Sequence, residues 1–146
     1  VPVLDIQRWV AGEVHKYYWQ DDINCATTML NILAELGRVP LNPQVVAAAT
    51  GMHGAGGYGA QCGLVEGALM YIGIAAAGRG LPAKETASLC HGYAAAFTEE
   101  FGSLLCRELR PEGFGPHNPP HLCEGRSVDA VMFAIEFMRG NHLLNT

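Results

Sequence analysis

The sequence predicts an all-α fold, and three observations carry that expectation. Apolar residues recur at helical spacing along most of the 146 residues. Glycine and proline clusters separate those stretches, and no run alternates with the period of two that a half-buried strand requires. No internal repeat is evident. The length fits a single domain, 1–146, with enough apolar content for one core.

The first helix is expected from Leu4 to Trp19, with Ile6, Trp9, Val10, Val14 and Tyr17 inward and Arg8, Glu13 and Lys16 in water. A second helix, about Ile23 to Glu35, could be capped by Asp21 or Asp22. It puts Cys25, Met29, Ile32 and Leu33 on one face and stops at Gly37. Pro40 and Pro43 break the chain before a short helix, Gln44 to Ala49.

The loop Gly51-Met-His-Gly-Ala-Gly-Gly-Tyr-Gly59 comes next. No Gly-Lys-Ser/Thr closes it, and no strand or βαβ pattern surrounds it, so it is neither a P-loop nor a dinucleotide fingerprint. Its amides, at Gly56, Gly57 and Gly59 and on to Gly63, could wrap an anionic centre as a nest. The loop delivers Cys62 to the first turn of a helix that runs to about Ala77, where Gly63, Gly67 and Ala68 let another backbone approach. At a helix N-terminus the unpaired amides and the dipole are expected to lower the thiol's pKa. A further helix, Ala83 to Phe101, turns Leu89, Tyr93, Ala96 and Phe97 inward.

Ser103 is placed to cap a short helix carrying Cys106 near its third position. Arg110 to Cys123, with Pro111, Pro116, Pro119 and Pro120, reads as a long loop ordered by whatever Cys123 binds. The last helix, Ser127 to Met138, has Asp129 near its positive end; Gly140 ends it, and the tail reads as unstructured.

Several function classes are set aside by composition. A net charge of −5 with scattered basic residues lacks the footprint of a nucleic-acid binder. The longest apolar run, Ala68 to Ala77, is too short to span a membrane. No signal or transit peptide is visible, so a cytoplasmic location is expected, with N-terminal processing left open because the chain begins at Val1. No Ser–His–Asp or paired-carboxylate constellation can be picked out, and no catalytic residue is assigned. Glu66, amid apolar residues, reads either as a proton-coupled group or as a hydrogen-bonded structural one.

The informative residues are Cys25, Cys62, Cys90, Cys106 and Cys123. An odd count without a C-x-x-C argues against a secreted disulfide framework, a thioredoxin motif or a local zinc ribbon. Cys25, Cys62 and Cys106 fall near predicted helix starts and Cys123 just before the last helix, so four distant thiols are candidate metal ligands. Four thiolates suit a tetrahedral zinc or an iron–sulfur cluster; each cysteine is otherwise a small buried hydrophobe. Cys90, mid-helix, reads as core; Ala87 stands where a haem motif needs its first cysteine. His53 and His121 read as solvated loop residues, with a ligand or supporting role as the alternative.

Taken together, Asn24-Cys25-Ala26, Cys62-Gly63-Leu-Val-Glu-Gly67-Ala-Leu-Met, Phe101-Gly102-Ser103-x-x-Cys106-Arg107-Glu108-Leu109 and Cys123 resemble the redox-active proteins named after their C-GCAxxG-C-C pattern. The resemblance runs from about Ile23 to Met138. It implies a small helical domain whose four characteristic cysteines are Cys25, Cys62, Cys106 and Cys123, and leaves Cys90 outside the pattern. Relatives include the iron–sulfur part of split-Soret cytochromes, so the resemblance implies an iron–sulfur centre, [2Fe–2S] or [4Fe–4S], ahead of zinc. The usual Ala of the family motif is replaced around Cys62 by Gly63-Leu64. The expectation is a small electron-transfer or redox-sensing protein with a redox partner protein. A metal-free thiol–disulfide protein and a structural zinc module are the alternatives, and small-residue helix faces suggest a homodimer.

Overall fold

The computed structural model describes residues 3–113, 117–118 and 121–144. Among them are eight helices: α1 (Val3–Trp19), α2 (Cys25–Gly37), α3 (Pro43–Ala48), α4 (Gly54–Gly57), α5 (Gly63–Gly78), α6 (Ala83–Phe101), α7 (Cys106–Leu109) and α8 (Glu124–Gly140). The all-α expectation holds, and the only pairing of extended backbone among the described residues is a single antiparallel bridge between Gln61 and Leu105. No described helix is long and apolar enough to cross a membrane.

The centre is the pair α2 and α5, with α1 and α8 packed together beside it and α6 laid on α5. The α2–α5 seam is close because α5 presents glycine to it. A Cβ at Gly63 would collide with Cys25 Sγ, and one at Gly67 would collide with the Ala26 carbonyl oxygen. The sequence reading of those two glycines as sites of close backbone approach is correct.

Several local expectations change. Ile6, Val10, Val14 and Tyr18 form the buried stripe of α1; Tyr17 lies at its edge and donates a hydrogen bond to Glu35. Asn24, rather than Asp21 or Asp22, caps α2, its Oδ1 accepting the Thr27 amide at 2.9 Å. Gly37 is the last helical residue and Arg38 supplies the left-handed cap at φ 54°. Gly37 is needed for space instead, because a Cβ would strike the Tyr71 hydroxyl.

The glycine-rich loop contains one left-handed turn, α4, with Gly54, Ala55, Gly56 and Gly57 all at positive φ. Three glycines there adopt freely what L side chains avoid. Leu105, not Ser103, precedes α7, and Ser103 Oγ accepts the Leu105 amide at 2.9 Å. The last helix begins at Glu124, three residues before Ser127, so Glu124 and not Asp129 sits in its first turn. Nor is the tail loose as far as it is described: Leu143 and Leu144 are buried, and Tyr71 donates to the Leu143 carbonyl at 2.7 Å. Pro116, Pro119 and Pro120 lie outside the described residues.

Candidate functional site

Each of the four pattern cysteines stands at the start of a helix. Cys25 and Cys106 are the first residues of α2 and α7, and Cys62 and Cys123 immediately precede α5 and α8. Two of these starts are fastened together. The Cys62 amide donates to the Leu104 carbonyl at 2.8 Å and the Cys106 amide to the Ala60 carbonyl at 2.7 Å. The left-handed turn completes this unit, since Gly54 lies against Cys106, where a Cβ would come within 3.2 Å of its sulfur.

All four cysteines line one cavity of about 490 Å³. Tyr18, Asp22, His53, Arg110, His121 and Arg126 share its wall. Cys62 and Cys106 are buried, Cys25 and Cys123 half-buried. Cys90 stands apart on α6, half-buried against the hydrophobic core, as expected.

Electrostatics reverse one expectation. A helix N-terminus should lower the thiol pKa, yet burial pushes the Cys62 thiol up to about 11. The Leu64 and Val65 amides pull the other way without making a capping hydrogen bond. Burial also raises Cys25, helped by the neighbouring Cys62, Cys123 and Cys106. Cys106 is raised by burial and by Cys123, while Arg110 and Arg126 oppose the rise. At Cys62 desolvation of the thiolate outweighs the pull of the helix amides. Cys25, Cys62 and Cys106 therefore favour the protonated thiol at neutral pH.

The histidines are not solvated loop residues. His53 lines the cavity, and its buried Nδ1 finds no hydrogen-bond partner among the described residues. His121 stacks on Tyr18 with ring centroids 5.0 Å apart and meets the edge of Trp19 at 4.9 Å. Its Nε2 lies 3.3 Å from Asp22 Oδ1. Tyr18 is held from behind by Ser127 at 2.5 Å. Glu124, the first residue of α8, accepts from Trp19 at 2.5 Å and pairs with His15 at 3.0 Å; these contacts tie α1 to the start of α8.

The four thiols surround the cavity without converging on a point. No three His, Cys, Asp or Glu side chains among the described residues are grouped closely enough to hold one metal ion. A mononuclear zinc needs its sulfurs at about 2.3 Å from a single centre. A polynuclear cluster distributes its ligands over several metal atoms, so its thiolates stand further apart. The buried His53 Nδ1 on the same wall is a polar group without a hydrogen-bond partner among the described residues.

Of the glycines expected to line an anionic centre, Gly63 abuts Cys25. Gly59 packs on Arg107, a Cβ at Gly56 would meet nothing, and none of Gly56, Gly57, Gly59 and Gly63 is part of the cavity wall. Glu66 accepts a hydrogen bond from Gln61 outside the cavity, which fits its structural reading. Sequence reasoning passed over Tyr18, Arg110 and Arg126; their only signal was proximity in sequence to Trp19, Cys106 and Cys123 respectively.

A family model described as "Putative redox-active protein (C_GCAxxG_C_C)" matches residues 23–137. No curated protein and no solved structure matches the chain.

Proposed function

The chain belongs to the C_GCAxxG_C_C family of redox-active proteins, and from that premise we propose that it carries electrons on an iron–sulfur cluster held by Cys25, Cys62, Cys106 and Cys123. The single observation that supports this most is the arrival of four thiols from four helix starts at one cavity. When bound, such a cluster supplies a one-electron couple whose potential depends on charge, hydrogen bonds to sulfur and exposure to water.

The chain's own residues have definable parts in this reading. The four cysteines give up their protons on loading, which makes assembly easier at higher pH. The Leu64 and Val65 amides in the first turn of α5 favour the charged form of Cys62. His53 offers a buried ring nitrogen that can donate to sulfur or sulfide. Tyr18 and His121 form one stacked wall of the cavity and restrict water there.

The test is an anaerobic preparation of the full chain, assayed for visible absorbance, iron and acid-labile sulfide. Stoichiometric iron and sulfide with charge-transfer absorbance are expected, and Cys25→Ser or Cys123→Ser should abolish them while Cys90→Ser leaves them intact. A colourless protein without iron or sulfide after anaerobic reconstitution sinks the proposal. The metal-free thiol–disulfide alternative predicts instead a mass loss of two hydrogens on oxidation with no iron or sulfide taken up.

A further inference from the structure

We propose that His121 and Trp19 form the route by which electrons pass between the cysteine cavity and the protein surface, with Trp19 as its outer end. The inner end of that route rests on the cluster reading above. His121 lines the cavity along with the four cysteines, and its side chain is 16% exposed. Trp19 is no part of the cavity wall and is 49% exposed. The two ring centroids lie 4.9 Å apart with the planes at 67°, edge against face. A single imidazole therefore separates the interior of the cavity from an aromatic ring in contact with water.

Both rings are held in place by groups from other elements. His121 stacks on Tyr18 at 5.0 Å and 14°, and the Tyr18 hydroxyl is bonded in turn to the buried Ser127 at 2.5 Å. Asp22 Oδ1 lies 3.3 Å from His121 Nε2. The His121 backbone stands at φ 56°, in the left-handed region that residues with a Cβ avoid. Surrounding contacts rather than local preference thus keep the imidazole against Trp19. Trp19 donates its indole N–H to Glu124 at 2.5 Å. Tryptophan is ordinarily well buried; here a hydrogen bond fixes its orientation while much of the ring stays in water.

Electron tunnelling weakens steeply with distance, and more steeply across empty space than through atoms in contact. Rings that touch shorten the gaps to be crossed between an enclosed centre and the surface. The step itself is simple to balance: a one-electron acceptor at the surface gains one electron, and the reduced site loses it. No bond forms or breaks and no proton moves. His121 and Trp19 couple the two centres electronically and are not themselves oxidised in turn.

The probe for the route is tris(phenanthroline)cobalt(III), a rigid one-electron acceptor too bulky to enter a cavity of about 490 Å³. The full chain, loaded anaerobically and then reduced, is mixed with it in stopped flow, and visible absorbance gives the rate of oxidation. Iron, sulfide and midpoint potential are measured for each variant, so that only loaded protein of known potential is compared. Trp19→Leu should slow the reaction several-fold at unchanged potential, and Trp19→Phe should keep most of the parent rate. Tyr58, also exposed but not part of the cavity wall, is the control, and Tyr58→Leu should change nothing. A loaded Trp19→Leu chain that reacts at the parent rate overturns the route. Equal slowing by leucine and phenylalanine overturns it too, because contact other than an aromatic one would then be at work. If Trp19→Leu does not fold or load, His121→Leu against His121→Phe carries the comparison, and equal rates overturn the route.

A second measurement needs no metal. The chain has two tryptophans, so Trp9→Phe leaves emission from Trp19 alone and Trp19→Phe leaves emission from Trp9 alone. In the metal-free full chain, acrylamide should quench Trp19 more strongly than Trp9. A Trp19 as shielded as Trp9 cannot be an outer end and overturns the route. A parent chain that takes up no iron or sulfide overturns the route together with the cluster reading. A loaded chain in which Trp19→Leu keeps the parent rate overturns the route and leaves that reading standing.

Discussion

Along the seam between α2 and α5 two backbones touch, whereas where α6 meets α8 they are held apart by aromatic rings. The seam is made by the absence of side chains: Gly63 against Cys25 and Gly67 against the Ala26 carbonyl. The other face is made by their presence. Tyr93 meets Phe97, Phe133 and Phe137 with centroids 5.1–6.0 Å apart, and Phe101 closes the cluster at 4.5 Å from Phe97 and 5.5 Å from Phe133. The seam fixes where two sulfurs stand, and the aromatic face supplies burial. Stability and site geometry are thus concentrated in different places.

That division is most exposed to test at Phe97, which is 1% exposed. Phe97→Ala should cost about 3–5 kcal/mol in denaturant unfolding while, on the proposed cluster reading, leaving the iron and sulfide uptake of the folded fraction unchanged. A loss of metal binding in protein that is still folded would show that the aromatic face also positions the sulfurs. Gly67→Ala is the converse case. Its new methyl meets backbone rather than a yielding side chain, so the helices must part; the cost should reach about 3 kcal/mol, the upper end for overpacking. Here, on the proposed cluster reading, iron and sulfide uptake should fail along with stability, because moving α2 moves Cys25.

Asn24 sits between these extremes. Its Oδ1 accepts the Thr27 amide, and its Nδ2 donates to the Thr50 carbonyl at 2.5 Å, tying the start of α2 to the glycine-rich loop. Asn24→Ala should cost about 1 kcal/mol, the usual value of an N-cap, by thermal or urea unfolding. Asn24→Asp keeps the cap but loses the tie to the loop, so a stability near the parent with weakened metal loading would assign the tie to the site.

The two regions are not equally legible in the sequence. The seam can be read, since Gly63 and Gly67 lie about one helical turn apart and so share a face that another backbone can approach. Three of the four helix starts, those of α2, α5 and α7, can be read because Asn, Gly and Ser punctuate the chain near them, though Asn24 and Leu105 hold positions expected for other residues. The onset of α8 escapes because Gly125 and Arg126 look like loop, and only tertiary contacts from Trp19 and His15 to Glu124 secure that first turn. Tyr18 takes the buried place expected for Tyr17, a one-residue choice that α8, through Ser127, decides. Leu143 and Leu144 carry no periodic signal, being anchored by Tyr71 on another helix. The direction of the thiol shifts is unreadable for a related reason: local sequence shows the dipole, whereas the enclosing wall comes from elements far along the chain.

Tyr93 belongs to both regions, and its hydroxyl makes the finest test. The ring is packed among phenylalanines, yet its buried oxygen finds no hydrogen-bond partner among the described residues. Burial holds its pKa well above the ordinary tyrosine value, and the nearby Cys62 adds to the rise. An unsatisfied buried hydroxyl is a cost, so Tyr93→Phe should raise stability at neutral pH by about 1 kcal/mol. The sign of the pH effect is set by which state loses the proton first. An unfolded tyrosine ionises near pH ~10 while the folded one stays protonated, so the native state holds more protons there and stability falls as pH rises past about 10. Tyr93→Phe removes that share of the alkaline loss and should flatten the decline, though Tyr18, raised by burial in the same way, keeps part of it. Urea unfolding at about pH 7 and about pH 11 measures both effects. If the phenylalanine variant is instead less stable at neutral pH, the hydroxyl has a partner on the cavity side, and the aromatic face and the sulfur site are joined through it.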